Sequence, residues 1–161
     1  MTQAEAGVAT PSVARLVLVV AAGVVAVDQL TKWWATEALA DGPIHVIWTL
    51  DLRLTTNTGA AFSRGQGYGW LIGLLALVVV LVLLRYRHRV PGVAGAVALG
   101  AVLGGALGNL ADRLFRGPGW LRGPVIDFID LNWWPIFNVA DAAISVGVVV
   151  LVVLFTTRAQ S

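Results

Sequence analysis

Long uncharged runs of apolar residues dominate the pattern of hydrophobic and polar positions along the chain. Residues 65–84 and 90–111 contain no charged side chain, and each run has the roughly 20 residues that an α-helix needs to cross a membrane. Two shorter apolar runs, 16–27 and 142–157, reach a spanning length when flanking charged residues lie within the helices. The pattern predicts four transmembrane helices, at residues 13–34, 68–85, 92–112 and 139–157.

A second, shorter period appears between the first two predicted helices. Apolar and polar residues alternate there: Trp48, Leu50, Leu52 and Leu54 on one side, and Thr49, Asp51, Arg53 and Thr55 on the other. Alternation with a period of two is typical of a β-strand with one buried face. We therefore expect a small β-sheet outside the helices, built from the long connections at residues 35–67 and 113–138.

The placement of arginine and tryptophan predicts the orientation of the helices. Arg85, Arg87 and Arg89 crowd the short connection between the second and third predicted helices, which indicates the cytoplasmic side. Four helices then place both termini in the cytoplasm. The tryptophans lie at or beyond the opposite, outer ends of the helices: Trp33, Trp34, Trp48, Trp70, Trp120, Trp133 and Trp134. Because aromatic residues mark membrane interfaces, we expect the sheet and its loops to lie on the outer face.

These patterns predict an all-α membrane protein: a four-transmembrane-helix bundle with a small extracytoplasmic β-sheet and both termini inside. We expect residues 1–161 to form one membrane-embedded domain, with residues 1–12 as a disordered tail. The composition agrees, because only 12% of the residues are charged and an average soluble domain has about 25%. The basic residues suit membrane topology better than nucleic-acid binding. The absence of cysteine excludes disulfides and thiolate metal sites, and no metal-ligand spacing occurs.

Small and polar residues share the third predicted helix. Gly100, Gly104 and Gly108 form a stripe at four-residue spacing, which predicts close packing against another helix. The end of the same helix carries a polar cluster, formed by Asn109, Asp112 and Arg113. Polar side chains within a membrane usually face a cavity or one another, so a functional site and a structural ion-pair cluster both remain open.

Two further pairs of polar residues have both a structural and a catalytic interpretation. Asp28 and Lys32 are four residues apart on a helix, where a salt bridge is the favoured interpretation. Asp141 is three residues after Asn138, which fits a helix N-cap followed by a favourable charge in the first turn.

The remaining aspartates, Asp127 and Asp130, fit a solvated loop. Taken with Asp141, however, they also suit hydrolysis by a pair of carboxylates. One carboxylate must be ionised to deprotonate water while its partner stays protonated and hydrogen-bonds the scissile carbonyl. Two carboxylates that lie close together cannot readily both ionise, which separates their pKa values in this way.

Five segments in a fixed order make the sequence recognisable. They are Asp28-Gln29 with Lys32, Asn57-Thr-Gly-Ala-Ala-Phe-Ser63, Gly104-Gly-Ala-Leu-Gly-Asn-Leu-Ala-Asp-Arg113, Val125-Ile-Asp-Phe-Ile129 and Phe137-Asn-Val-Ala-Asp141. From residue 28 to residue 141 the chain resembles the lipoprotein signal peptidase, or signal peptidase II, family.

The resemblance implies a bacterial aspartic endopeptidase of the inner membrane, with four spans and a small extracytoplasmic sheet. Such enzymes cut prolipoprotein signal peptides on the N-terminal side of a cysteine that carries diacylglycerol. The resemblance places the catalytic pair at Asp127 and Asp141. It places supporting polar residues at Asp28, Lys32, Asn57, Asn109, Asp112, Arg113 and Asn138. We expect no metal or cofactor, contact with membrane lipid and a monomeric enzyme.

Two other functions fit the sequence less well. A small transporter or channel needs polar residues along the whole depth of the bundle, and the inner halves of the predicted helices carry only apolar residues and glycine. A non-catalytic membrane scaffold would use the glycine stripe as its interface, which leaves the outer polar residues unexplained. In the peptidase interpretation the same stripe is expected to leave room for the substrate helix. Relative to the family, residues 116–124 look like an insertion that shapes an outer lid.

Overall fold

The computed structural model describes residues 13–58, 69–88, 90 and 92–159. It contains helices α1 (Val13–Ala38), α2 (Gly69–Tyr86), α3 (Gly92–Phe115) and α4 (Val139–Ala159), and strands β1 (Ile44–Ile47), β2 (Leu50–Asn57) and β3 (Val125–Asp130). The four helices lie where the hydropathy pattern places them, and each ends one to four residues later than predicted. The predicted disordered tail lies outside the described residues.

The helices differ in their capacity to cross a membrane. Within the described residues, α1, α3 and α4 are long and apolar enough for a span, and α2 contributes a shorter apolar helix, Trp70–Tyr86. The chain is therefore a mostly helical protein with three candidate spans and a small sheet. A fourth span at α2 stays a prediction.

Helix α3 packs against α1 through the glycine stripe. A Cβ atom at Gly104 would lie 2.6 Å from the carbonyl oxygen of Ala21, and one at Gly108 would lie 2.5 Å from a carboxylate oxygen of Asp28. Since any larger residue would push the helices apart, the predicted close packing is confirmed. The expectation that this stripe receives a substrate helix is wrong, because α1 already fills it.

On its other side α3 meets α4. A Cβ atom at Gly105 would collide with the carbonyl oxygen of Ala140, and one at Gly147 would lie 2.7 Å from the carbonyl oxygen of Ala98. Helix α3 therefore lies between α1 and α4, and its buried residues Leu99, Leu103 and Leu110 form the centre of the main core. This arrangement brings the end of α3, the C-terminal half of α1 and the start of α4 to one level.

The three strands form one antiparallel sheet in the order β1-β2-β3. Phe128 of β3 packs with Ala35 and Leu39, so the sheet is seated on the last turns of α1. The predicted strand beginning at Trp48 is wrong in its start: Trp48 lies in the turn between β1 and β2, with a φ of 54° and 90% exposure. The alternation of apolar and polar residues continues through this turn and so does not mark where β2 begins. All four residues of β1 are exposed, so no alternation of buried and exposed positions marks that strand.

A short bridge connects β3 to α4. The Ile129 N–H donates to the Phe137 carbonyl over 2.9 Å, and the Phe137 N–H donates back to the Ile129 carbonyl over 3.1 Å. Asn138 follows directly and precedes the first residue of α4. The bridge thus holds the beginning of α4 beside β3.

The segment that looks inserted, residues 116–124, is anchored to the helices. Leu121 is buried in the main core with a φ of 61°, and its Cβ would lie 2.8 Å from a Cβ built at Gly73 of α2. The Gly123 N–H donates to the Arg113 carbonyl over 2.9 Å. This segment therefore helps to fix α2 against α3, a packing role that the sequence interpretation as an outer lid missed.

Candidate active site

Strand β3 directs its two aspartates to different neighbours. Successive side chains alternate between the faces of a strand, so Asp127 and Asp130, three positions apart, point in opposite directions. Asp130 accepts a hydrogen bond from the Asn132 N–H over 2.8 Å and lies 3.4 Å from the guanidinium of Arg53. Both aspartates are buried. The interpretation of this segment as a solvated loop is therefore wrong.

Asn138 joins the two aspartates that the resemblance singles out. Its Oδ1 accepts from the Asp141 N–H over 2.9 Å, and Asp141 Oδ2 accepts from the Asn138 N–H over 3.2 Å. This reciprocal pair caps α4, as its sequence spacing predicts. The Asn138 Nδ2 group donates to Asp127 Oδ1 over 2.6 Å. The helix cap therefore also holds Asp127 beside Asp141.

Asn109 approaches the same pair from α3. Its Nδ2 donates to Asp141 Oδ1 over 2.8 Å. Its Oδ1 accepts from Lys32 Nζ over 2.9 Å and from Asn138 Nδ2 over 3.1 Å. The asparagine thus connects α1 with both carboxylates.

Behind Asn109 lies a buried cluster of opposite charges. Lys32 Nζ lies 2.9 Å from Asp28 Oδ2 and 2.8 Å from Asp112 Oδ2. Arg116 Nε pairs with the other oxygen of Asp112 over 2.6 Å. Asp28 Oδ1 in turn accepts from the Ala140 N–H over 3.0 Å, which ties α1 to the first turn of α4. The salt bridge predicted between Asp28 and Lys32 is present, and it belongs to a larger network.

The candidate pair opens into a cavity of about 340 Å³ between the first half of α2, the end of α3 and the beginning of α4. Its polar lining consists of Asn57, Asn109, Arg113, Asp127 and Asp141, and α2 contributes apolar side chains. Arg113 is 6% exposed, and its Nη1 atom has no hydrogen-bond partner within the described part of the chain. A buried donor without a partner is costly, so this atom is poised to meet an acceptor that enters the cavity.

The pKa of Asp127 is raised from 3.8 to about 6, first by burial and second by the neighbouring charge of Asp141. Hydrogen bonds from Asn138 and Asn57 act to lower this pKa, as does the more distant charge of Lys32. None of the ion pairs formed between described residues includes Asp127 or Asp141. Amides donate hydrogen bonds to the pair, while Arg113 faces both carboxylates without an ion-pair contact. Asp127 holds a proton more readily than an exposed aspartate does.

A second cavity of about 360 Å³ lies beside Asp141, toward the loop that precedes α4. Apart from Asp141 and Ser145, its lining is apolar: Leu131, Trp133, Trp134, Phe137, Ala142 and Val146. Asp141 thus lies between a cavity with several polar groups and a cavity with an apolar wall.

The structure gathers every residue that the resemblance singles out into this region: Asp28, Lys32, Asn57, Asn109, Asp112, Arg113, Asp127, Asn138 and Asp141. Asp130 points away from it. Sequence reasoning missed the roles of Gln29 and Arg116, which both contact Asp112. The spacing of Arg116, four residues after Asp112, was an available signal. Within the described ranges, no group of three or more His, Cys, Asp and Glu side chains is arranged to hold a metal ion.

Comparisons with known proteins show the family of the chain. Residues 20–157 match the family model described as signal peptidase (SPase) II. The chain is 48% identical over 142 residues to the lipoprotein signal peptidase of Mycobacterium avium (strain 104), covering 87% of this chain and 78% of that protein. It is 49% identical over 143 residues to the lipoprotein signal peptidase of Rhodococcus jostii (strain RHA1), covering 87% and 72%.

Two solved structures are similar in fold. One is a bacterial membrane enzyme solved by the in meso method at 2.3 Å resolution, with a TM-score of 0.76, 26% identity, and coverage of 89% of this chain and 88% of that one. The other, a bacterial membrane enzyme solved by the same method at 1.9 Å resolution, gives a TM-score of 0.72 and 28% identity, with coverage of 86% and 91%.

Proposed function

Because the chain belongs to the signal peptidase II family, we propose that it is an aspartic endopeptidase that removes signal peptides from diacylglyceryl-modified prolipoproteins. It cuts on the N-terminal side of the lipidated cysteine. The observation that carries the proposal is the pair Asp127 and Asp141, which line one cavity and are bridged by the Asn138 side chain and backbone. No metal or cofactor is required, because a carboxylate pair activates water directly.

The two aspartates take different parts in the reaction. Asp127 carries the proton, in keeping with a pKa raised to about 6 by burial and by Asp141. Asp141 acts as the base, because both of its oxygens accept N–H hydrogen bonds, the arrangement that favours an ionised carboxylate. Asp141 takes a proton from water as the oxygen attacks the scissile carbonyl carbon, and Asp127 protonates the carbonyl oxygen. Collapse of the resulting diol returns a proton to Asp127, breaks the C–N bond and sends the proton on Asp141 to the leaving amine.

Arg113 and the cavity asparagines hold the substrate backbone. The Arg113 Nη1 atom is buried without a partner among the described residues, so it is suited to donate to a peptide carbonyl. Asn57 and Asn109 line the same cavity and offer uncharged amides. Neutral donors fix carbonyl groups without disturbing the shared proton of the pair.

We further propose that α2 crosses the membrane with the other three helices and that both termini are cytoplasmic. Helix α2 lines the catalytic cavity near its beginning and carries Arg85 near its end, so it runs the length of the bundle. The site then lies at the outer face of the bacterial cytoplasmic membrane. The lipidated cysteine lies at the same face, because it follows the end of the signal peptide helix. The acyl chains contact the apolar walls beside Asp141, and the enzyme acts as a monomer.

The test is cleavage of a diacylglyceryl-modified prolipoprotein by the purified protein in detergent, with release of the signal peptide as the readout. We expect Asp127→Asn and Asp141→Asn to reduce cleavage to background, because an amide can neither take the proton of water nor share one. Asp130→Asn is the matched control, since Asp130 lies three residues along the same strand and points away from the cavity. It should keep substantial activity.

The same assay separates the proposed substrate from a general peptidase activity. A prolipoprotein whose cysteine lacks diacylglycerol should be cut poorly, because each buried methylene contributes about 0.8 kcal/mol to binding. Equal cleavage of the two substrates would refute the lipid requirement. An active Asp127→Asn together with an inactive Asp130→Asn would refute the assignment of the pair.

A further inference from the structure

The amide group of Asn109 has only one orientation that its neighbours allow. On one side lies the ammonium of Lys32, 2.9 Å from Oδ1, and on the other lies the carboxylate of Asp141, 2.8 Å from Nδ2. An ammonium offers only donors and an ionised carboxylate only acceptors. Turning the amide over would place a donor against a donor and an acceptor against an acceptor. Lys32 therefore forces Asn109 to present its N–H to Asp141.

The contacts of Lys32 show that this task is separate from charge pairing. Its three N–H donors go to Asp28, Asp112 and the neutral oxygen of Asn109. Asp112 has a second cationic partner, Arg116, which has no hydrogen bond to Asn109 among the described residues. The two cations thus share one carboxylate, and only one of them contacts the amide that reaches Asp141.

Because its surroundings are buried, the Asn109 amide depends on Lys32 for its orientation. The side chains of Lys32 and Asp28 are fully buried, so water does not replace a missing donor at Asn109 Oδ1. Without the ammonium, Oδ1 keeps only the longer contact of 3.1 Å with Asn138 Nδ2, a group that also donates to Asp127 and to the Ile126 carbonyl. The orientation of the Asn109 amide toward Asp141 would then be held less strongly.

We propose that Lys32 is a positioning residue of the peptidase reaction, which acts through Asn109 to hold the N–H donor on Asp141. The proposal rests on the proposed function and concerns how the same site is kept ready. Lys32 contacts neither the cavity nor the substrate, and the pair Asp28 and Asp112 neutralises it. What the reaction requires from Lys32 is the orientation of the Asn109 amide, whose N–H in turn reaches Asp141.

The first experiment compares two cations that share Asp112. Lys32→Met removes the ammonium that contacts Asn109, and Arg116→Met removes the guanidinium that does not. We expect Lys32→Met to lower kcat by about 10–100-fold with KM nearly unchanged, as loss of a supporting contact behind a reactive group does. Arg116→Met should lower the melting temperature and leave kcat close to that of the wild type. Equal losses of kcat in both variants, corrected for the folded fraction, would overturn the proposal.

A second variant keeps the proposal testable if Lys32→Met does not fold. Asn109→Asp retains the oxygen that accepts from Lys32 and replaces the N–H donor by a second oxygen facing Asp141. Below the pKa of the new carboxyl, its O–H would restore the donor. We therefore expect the optimum of kcat/KM to move to lower pH than in the wild type, whereas Asn109→Ala should be impaired across the whole range.

The comparison of Asn109→Asp with Asn109→Ala leaves the other ionisable groups near position 109 unchanged. Asp28 and Lys32 face it from α1, Asp112 and Arg113 belong to α3, and Asp127 approaches from β3. All five are the same in Asn109→Asp and Asn109→Ala, so a difference between the two pH profiles reports the new carboxyl group at position 109. An unchanged pH optimum in Asn109→Asp would overturn the proposal, and a wild-type protein that does not cleave would instead refute the proposed function.

Discussion

Two pairs of aspartates lie side by side in this protein and have opposite surroundings. Asp28 and Asp112 share the ammonium of Lys32 at 2.9 and 2.8 Å, and Arg116 adds a second cation at 2.6 Å. Asp127 and Asp141 are contacted instead by the amides of Asn109 and Asn138. The first pair forms ion pairs with cations, whereas among the described residues the second pair has only the more distant charges of Arg113 and Lys32 near it. This difference separates carboxylates that hold the helices together from carboxylates that can exchange a proton.

The difference has a simple physical consequence. A carboxylate paired with a buried cation stays ionised, and removing either partner leaves an uncompensated charge in a low-dielectric interior. A carboxylate held by amides beside another carboxylate gains from protonation, because its burial and its neighbour both disfavour the charge. Only the second arrangement, found at Asp127, supplies a proton near neutral pH.

The largest effect that we expect from this comparison is on stability. Asp112→Asn should lower the free energy of unfolding by about 3–5 kcal/mol, because it leaves Lys32 and Arg116 with one carboxylate fewer between them. Asp127→Asn, at a site that is just as buried, should lower it little or not at all. Unfolding of the two purified variants in the same detergent, followed by tryptophan fluorescence, measures the difference. Similar losses in both variants would remove the distinction between the pairs.

A smaller effect is expected on turnover from the amides around the second pair. Asn109→Ala and Asn138→Ala should each lower kcat by about 10²-fold, as the loss of one transition-state donor does. Asn138→Ala should also cost about 1 kcal/mol of stability because Asn138 caps α4.

Arg113→Lys should impair cleavage too, since a point charge does not replace a planar fork of donors. Measuring melting temperature and cleavage on the same samples decides between a site and a structural role: losses in strict proportion would refute the site.

The sequence predicts the first pair less well than the second. Asp28 and Lys32 are four residues apart on one helix, so their salt bridge follows from helical spacing. Asp112 joins them only through the packing of α3 on α1, a contact between residues 80 or more positions apart that one sequence does not encode locally. Asp127 and Asp141 were placed together by a resemblance covering both of their motifs, and the structure adds Asn138 as the physical link.

The same contrast explains which parts of the fold could be predicted. The helices follow from hydropathy because their length and composition are local properties. The start of the sheet does not, because Trp48 continues the alternation into a turn and the four residues of β1 are all exposed. The burial of Leu121 could not be predicted either, since its neighbours in sequence are glycine, tryptophan and arginine and its core contacts lie on α2.

The smallest effect that we expect is a pH dependence of stability at Asp127. Its pKa is raised from 3.8 to about 6 in the folded protein, so between those values the folded state binds more protons than the unfolded state. Stability contributed by this group is therefore largest at low pH, decreases as pH rises through that window, and is lost above about 6. Asp127→Asn removes this titration. The melting temperature of Asp127→Asn minus that of the wild type should accordingly grow by a few degrees as pH rises from about 4 to about 7.

The neighbour's contribution to this titration can be isolated by repeating the measurement in an Asp141→Asn background. There the charge that helps to raise the pKa of Asp127 is absent, so the pH-dependent gain from Asp127→Asn should shrink, while the part caused by burial remains. The size of the reduction measures how strongly the two carboxylates interact. A gain that is unchanged in the Asp141→Asn background would mean that burial alone governs Asp127, and the two carboxylates would then not act as a coupled pair. A gain that shrinks would show that Asp127 and Asp141 share a proton. Asp112→Asn should stay unstable across the same pH range, because its pair is neutralised by cations. Both results together would explain why the two pairs of aspartates differ.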